Sequence, residues 1–176
     1  MSDLKFHPIE PFTAHHKKLR AAFSCGSSEL DRYIKHQATQ DIERRACVVY
    51  VLTSEDGRLA GFYTLTQDNI ASENVPPELI KQLNLPRYEQ IGATLLGRLA
   101  RDLTYRGKGI GELLLADALK RALVMSRQIA SAAVVVDAKD QKAHRFYKDF
   151  GFIPFPESEK RLFLPMATIE QLYPGI

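Results

Sequence analysis

The chain of 176 residues has little of what marks metal, membrane or secreted proteins. It has only two cysteines, Cys25 and Cys47, 22 positions apart. They form no C-x-x-C and sit in no histidine cluster, so no metal site is expected, and their spacing defines no disulfide framework. No apolar run reaches the ~18 residues a membrane span needs, and Met1-Ser2-Asp3-Leu4-Lys5 has no apolar signal-peptide core. The expected compartment is a reducing cytoplasm, with no membrane partner. Neither sign of charge dominates: 24 Lys and Arg stand against 21 Asp and Glu, a net +3. Internal repeats and low-complexity stretches are absent. So are two nucleotide-binding strings. No Gly is followed by four residues and Gly-Lys-Ser/Thr, which excludes a P-loop. G-x-G-x-x-G fails whether counted from Gly107, which puts Glu112 at the third glycine, or from Gly109, which puts Leu114 there.

What is present fits one domain, residues 1–176, with a sizeable core: 45% of residues are hydrophobic and 26% charged. The charge is uneven. From Arg98 to Lys148 there are eleven Lys and Arg against five Asp and Glu. An anionic cofactor would explain part of this excess, and a nucleic-acid substrate more. For any single lysine, a scattered solvated surface is the better reading.

Residues 4–10 read as a first strand. Ser28 starts a helix with Asp31 three residues on, a relative of the capping box. Leu30, Ile34, Ala38 and Ile42 recur every four residues and mark its buried face. Cys47 to Thr53 and Leu59 to Thr66 read as a hairpin around Asp56-Gly57. Residues 68–90, with Pro76, Pro77 and Pro86, read as an irregular connection holding one short helix. A strand over Ile91–Leu103 follows. Then come a glycine-rich turn and a helix over 112–123, with Ile110, Leu113, Leu114, Leu119, Ala122 and Leu123 available for burial. Ala132 to Val136 is a short apolar run typical of a strand buried on both faces. Asp140 caps a helix over Gln141–Asp149 that Gly151 ends. Arg161 to Leu164 and the tail add a last strand and a short helix. The class is α/β to α+β, with a mixed sheet and helices packed on it.

Arg106-Gly107-Lys108-Gly109-Ile110-Gly111 is the most informative stretch. Strand, glycine-rich turn and helix in that order set bare backbone N–H groups at a helix N-terminus, where the dipole favours an anion. Glycine there avoids a Cβ that would block the anion or forbid the needed φ and ψ. A turn without a ligand is the other reading of the loop alone. A second segment runs from Asp137 to Phe152 and contains Ala143-His144-Arg145-Phe146-Tyr147, then Gly151-Phe152. Phe146, Phe150 and Phe152 read as core, whereas Tyr147 has a hydroxyl that can donate a proton.

Arg-x-x-Gly-x-Gly, followed about thirty residues later by A-x-x-F-Y-x-x-x-G-F, resembles the GCN5-related N-acetyltransferase (GNAT) family. Phe23-Ser24-Cys25-Gly26-Ser27-Ser28-Glu29-Leu30-Asp31-Arg32-Tyr33 resembles the opening of one branch, and Gly61–Leu65 and Leu95–Ala100 match it too. That branch holds the acetyltransferase toxins of type II toxin–antitoxin pairs, of the TacT and AtaT type. The match runs from about Phe23 to Leu164. Two departures stand out. The branch has Leu-Ala-Val-Asp where this chain has Leu99-Ala100-Arg101-Asp102, and many relatives have Asn where Asp140 stands.

The resemblance implies a central mixed, mostly antiparallel sheet flanked by helices, and an acetyl-CoA-dependent enzyme. It implies that Leu99, Ala100 and Arg101 bind the pantetheine arm, with Asp140 as a further cofactor contact. Arg106, Gly107, Lys108, Gly109, Ile110 and Gly111 would hold the pyrophosphate, and Tyr147 would protonate the leaving thiolate. The implied acceptor is the α-amine of an aminoacyl-tRNA, whose acetylation blocks translation. Such an amine needs little deprotonation, since chain-type α-amines titrate near 7.7–8.0, against about 10.4 for lysine. That matches the lack of an obvious Glu or His base. Candidate tRNA contacts are Arg32, Lys35, Arg44, Arg45, Arg87, Arg98, Lys142 and Arg145. His144, at i and i+3 with Tyr147, and the pair His15-His16 read first as surface histidines. Implied partners are a ribbon-helix-helix antitoxin, DNA only through that complex, and a second copy of the chain. Two other readings stand beside the toxin: an N-acetyltransferase of a protein or small-molecule amine, and a non-catalytic module of this fold in a DNA-binding complex.

Overall fold

The computed structural model describes residues 4–176, so the first three residues of the N-terminal segment lie outside the described residues. Seven strands form one sheet: β1 (Glu10–Pro11), β2 (Val48–Thr53), β3 (Leu59–Ala71), β4 (Gln90–Arg101), β5 (Ala133–Asp137), β6 (Ile153–Pro154) and β7 (Arg161–Pro165). Their spatial order is β1-β2-β3-β4-β5-β7-β6. The β4–β5 pair is parallel, while β1–β2, β2–β3, β5–β7 and β6–β7 are antiparallel. The helices are α1 (Ser28–Arg32), α2 (Ala38–Glu43), α3 (Pro77–Gln82), α4 (Ile110–Ser126), α5 (Gln141–Asp149) and α6 (Met166–Leu172). The chain divides into two compact units, residues 1–66 with 97–118, and residues 67–96 with 119–176; β3, β4 and α4 run through both.

In the first unit, Ile34 and Ala38 are fully buried, with Leu30 and Ile42 packed at the edge of the same cluster, which includes Phe12, Phe23, Tyr33, Phe62 and Ala100. The four-residue spacing therefore marks the right face. The helix is not uniform, however: Tyr33–Gln37 forms a π-helical segment between α1 and α2. Its start also differs from the sequence expectation. Ser27, not Ser28, is the cap, its Oγ accepting from the Leu30 N–H at 3.4 Å. Asp31 turns back to accept the Cys25 N–H at 2.8 Å, because Gly26 at φ +88° folds the chain under it.

The first strand is shorter than residues 4–10. Phe6 bridges Ser54 and the ladder resumes only at Glu10–Pro11, because Pro8 has no N–H to continue it. The hairpin turn closes as its Asp-Gly pair predicts, with the Ser54 N–H on the Arg58 carbonyl at 2.9 Å and Gly57 at φ +82°. β3 then continues past Thr66 to Ala71. The strand expected to reach Leu103 ends at Arg101, where Leu103–Tyr105 make a 3₁₀ turn.

α4 is longer than the 112–123 pattern, and Leu113 is exposed rather than core. Its inward positions are Ile110, Leu114, Leu115, Ala118, Leu119, Ala122 and Leu123. One face of a 3.6-residue helix cannot hold Leu113 with that set. In the second unit, Val134, Val135 and Val136 are fully buried, as befits a strand paired on both sides. Phe152 is core, whereas Phe146 and Phe150 are only half-buried. The short β6 was not expected.

Gly61 on β3 is fixed by space rather than by φ. A Cβ there would lie 2.7 Å from Leu114 Cδ1 and 2.9 Å from the Ala100 carbonyl oxygen. Because one of these is backbone, relief requires the strand itself to move. Gly61→Ala is expected to lower the unfolding free energy by about 1–3 kcal/mol, the usual cost of overpacking, as measured by urea denaturation.

Candidate active site

The glycine-rich loop is built from the end of β4. The Asp102 N–H donates to the Ala60 carbonyl at 2.9 Å, keeping the strand paired to its last residue. The Asp102 carboxylate then accepts the Thr104 N–H at 2.8 Å and the Ser24 N–H at 2.9 Å. The Leu103 N–H completes the junction on the Ser24 carbonyl at 2.8 Å. Tyr105, buried, hydrogen-bonds the Ser54 hydroxyl at 3.1 Å, and its carbonyl accepts the Lys108 N–H at 3.2 Å. Gly107 and Gly109 both sit at φ +72°, with nothing within 4 Å of an added Cβ. Backbone conformation is therefore what requires glycine at these positions. The first helical hydrogen bond runs from the Leu113 N–H to the Gly109 carbonyl at 3.0 Å. The amides of Ile110, Gly111 and Glu112 precede it and have no intrahelical acceptor. Arg106, Gly107, Lys108 and Gly109 are exposed. The arrangement suits a phosphate group, favoured by free amides, helix dipole and flanking cations.

On the same unit, Leu99 and Arg101 are half-buried and Ala100 is buried. Arg101 Nη1 is buried with no hydrogen-bond partner. Arg98 stacks its guanidinium over the Tyr33 ring at 3.6 Å. The Tyr33 hydroxyl lies 3.1 Å from Cys47 Sγ. Burial first, and then this contact, hold the Tyr33 phenol above its ordinary range, and burial pushes the Cys47 thiol up as well. Both cysteines are free thiols.

In the second unit, Asp140 caps α5 by accepting the Ala143 N–H at 2.7 Å. Gly151 at φ +97° ends the helix, its N–H on the Lys148 carbonyl at 2.9 Å. Between these stops the Tyr147 ring is buried against Phe146 and Phe152, at 5.3 and 5.4 Å between centroids. Burial raises the Tyr147 phenol well above its ordinary value. An open cleft of about 790 Å³ follows the outer side of α5, lined among others by Asp140, His144, Arg145, Lys148, Glu159 and Lys160. Arg161 bridges Asp68 and Asp137, a grouping that no chain spacing announces.

The basic candidates divide between the units. Arg32, Lys35, Arg44, Arg45 and Arg98 belong to the first, and Arg87, Lys142 and Arg145 to the second. Arg32, Arg44 and Arg45 are exposed and Lys35 and Arg98 half-buried; Arg87, Lys142 and Arg145 are exposed. His144 is half-buried in the cleft wall. His16 corrects the surface expectation: it is buried, with Nε2 2.9 Å from Glu10 Oε1 and Nδ1 accepting the Thr13 N–H at 2.9 Å. It closes the capping box of the turn Ala14–Lys18, while His15 stays exposed. Sequence reasoning gave Asp102 no role. An aspartate directly after a strand and two residues before an amide it can cap was the available signal. No helix among the described residues is long and apolar enough to cross a membrane.

Strand, left-handed glycine turn and amide-bearing helix form an anion-binding junction in the first unit, and a capped helix carries a buried tyrosine in the second. Comparison with known proteins agrees: the acetyltransferase (GNAT) family pattern matches residues 14–152. The chain belongs to the GNAT acetyltransferase family. It is 34% identical over 172 residues to a Sinorhizobium fredii protein described as "Probable toxin TacT", covering 93% of each chain. It is 32% identical over 151 residues to a Mycobacterium tuberculosis protein described as "tRNA-acetylating toxin", covering 86% of this chain and 88% of the other. Among solved structures, a tyrosine-to-phenylalanine mutant of KacT superposes with a TM-score of 0.87 at 28% identity, covering 96% and 99% of the two chains. AtaT complexed with acetyl-methionyl-tRNAfMet gives 0.85 at 30% identity, covering 97% and 99%. The AtaTR complex bound with acetyl-CoA gives 0.79 at 29% identity, covering 98% and 99%. The sheet and its flanking helices are thus those of the GNAT fold.

Two measurements test the local chemistry. Asp102→Ala should cost about 2–3 kcal/mol in urea unfolding, since it removes a cap and a second buried acceptor. For Tyr147 the sign follows from its raised value. The folded state keeps the phenol proton that the unfolded chain loses near pH 10, so this contribution to stability is present below pH 10 and declines above it. Tyrosinate absorbance of the wild type minus that of Tyr147→Phe should therefore show no ionisation with the ordinary exposed tyrosines. A step near pH 10 would contradict the burial effect.

Proposed function

We propose that this chain is an acetyl-CoA-dependent N-acetyltransferase toxin that acetylates the α-amine of an aminoacyl-tRNA and so blocks translation. The observation that carries the reading is its near full-length likeness to AtaT, which is known complexed with acetyl-methionyl-tRNAfMet. Likeness to a protein described as a tRNA-acetylating toxin points the same way. The whole chain, residues 1–176, acts as one acetyltransferase domain. Its partner is an antitoxin, as AtaT has AtaR, and DNA is met through that complex, as in the DNA-bound AtaT–AtaR structure. Two free thiols suit a reducing cytoplasm.

Acetyl-CoA supplies the acetyl group as a thioester. The open left-handed turn and the free amides of Ile110 and Gly111 fit its pyrophosphate, with Arg106 and Lys108 adding charge. The backbone of Leu99–Arg101 holds the pantetheine arm. Tyr147 keeps a proton on its hydroxyl oxygen and gives it to the departing thiolate; burial keeps the phenol protonated until that step. Asp140 acts by fixing the start of the helix that bears Tyr147. Arg32, Lys35, Arg44, Arg45, Arg87, Arg98, Lys142 and Arg145 meet tRNA phosphates.

The test is incubation with labelled acetyl-CoA and bulk charged tRNA, followed by identification of the labelled species. Label on aminoacyl-tRNA is expected, with the rate falling steeply as salt rises. Tyr147→Phe should lower kcat by about 10²–10⁴-fold with little change in KM for acetyl-CoA. Label confined to protein or free amines would overturn the tRNA reading in favour of a general N-acetyltransferase. Acetyl-CoA binding without any product would favour a non-catalytic module.

A further inference from the structure

Arg101 is a cation that the family resemblance does not supply, since the related branch has valine in its place. Its Nη1 is buried without a hydrogen-bond partner, and the side chain makes no ion pair among the described residues. Strand alternation sets its direction. Ala100 packs into the cluster of Phe12, Phe23 and Phe62, so Arg101 projects from the opposite face of the sheet. β3 lies alongside here, through the Asp102 N–H on the Ala60 carbonyl. Gly61, next to Phe62, also faces away from that cluster, and a Cβ on it would meet Leu114 Cδ1 and Ile110 Cγ2 at 2.7 and 3.4 Å. Arg101 therefore shares its sheet face with the first turn of α4.

Positive charge gathers at that end of α4, although Glu112 lies in its first turn and Asp117 further along accepts the Tyr63 hydroxyl at 2.5 Å. A guanidinium is never deprotonated in a protein, and the helix start carries partial positive charge of its own. The two repel unless an anion lies with them, and Arg106 and Lys108 stand exposed on the adjoining loop. We infer that the Arg101 side chain binds the pyrophosphate of acetyl-CoA together with the amides that open α4. The planar fork of donors on arginine suits two phosphate oxygens, whereas valine offers none. This rests on the acetyl-CoA reading above and extends it from the backbone of Arg101 to its side chain.

The test compares wild type, Arg101→Val and Arg101→Lys by calorimetric titration with acetyl-CoA, and by kcat/KM with the phosphate-free donor acetyl-pantetheine. Arg101→Val should weaken acetyl-CoA binding about tenfold, a loss of about 1.4 kcal/mol. Arg101→Lys, a point charge without the fork, should fall between. Any loss of kcat/KM should be smaller with acetyl-pantetheine than with acetyl-CoA, and the ligand-free melting temperature of Arg101→Val should equal or exceed wild type. Acetyl-CoA affinity within twofold of wild type in Arg101→Val would overturn the inference. So would an equal loss with both donors, which would place Arg101 on the pantetheine arm. If Arg101→Val does not fold, Arg101→Lys carries the comparison, and wild-type affinity in it overturns the fork contact. Wild type that binds no acetyl-CoA would instead overturn the donor reading, and this inference with it.

Discussion

The Asp102 carboxylate is the constraint on which the glycine-rich loop depends. It is 7% exposed, and a buried carboxylate is costly unless its oxygens are hydrogen-bonded. The two backbone amides that satisfy it, from Ser24 and Thr104, come from segments far apart in the chain. One group therefore ties the end of β4 to the start of the α1 region and sets the course of the turn after it. The left-handed glycines follow within the next seven residues, and the helix begins directly after Gly109. Loosening this junction would leave the loop residues in place in sequence but not in aim.

What could be read from the sequence were features governed by local chemistry. The Asp-Gly turn, the Asp140 cap and the glycine stop after α5 each depend on a few adjacent residues, and each forms as expected. The burial of Ile34 and Ala38 was legible because period alone places them on one face. Where tertiary contacts decide, the local pattern is not enough. Two neighbouring serines compete to cap α1, and the fold of Gly26 favours Ser27. Leu113 is apolar but falls outside the inward arc of α4. His16 looks like a surface residue until Glu10 and Thr13 close around its two ring nitrogens. The π-helical segment at Tyr33–Gln37 has no sequence signal at all.

The cations show the same limit more sharply. Composition revealed an excess of positive charge but not its arrangement. Arg98 is flattened on Tyr33, and Arg161 is held by Asp68 and Asp137, so neither is a free surface charge. Arg32, Arg44, Arg45, Arg87, Lys142 and Arg145 remain exposed. Exposed cations gain little from intramolecular pairing and lose little when they displace counterions from a polyanion. An arginine already stacked or paired must give up that contact first. The exposed set can thus meet a phosphate backbone at least cost, whereas Arg98 must first give up its stacking on Tyr33.

Arg101 and Asp102 are adjacent, and the fold treats their charges in opposite ways. The buried aspartate has two backbone donors, and the arginine has a buried donor with no acceptor. An unsatisfied buried polar atom costs about 1–3 kcal/mol, and more when charged, which is a large share of the stability of a domain this size. A valine would avoid that cost and fill the same strand position. Retaining arginine is consistent with a free state that is less stable than it need be and a bound state that recovers the difference. Ligand binding and folding are then linked through one side chain: whatever anion satisfies Arg101 also stabilises the end of β4 from which the loop departs.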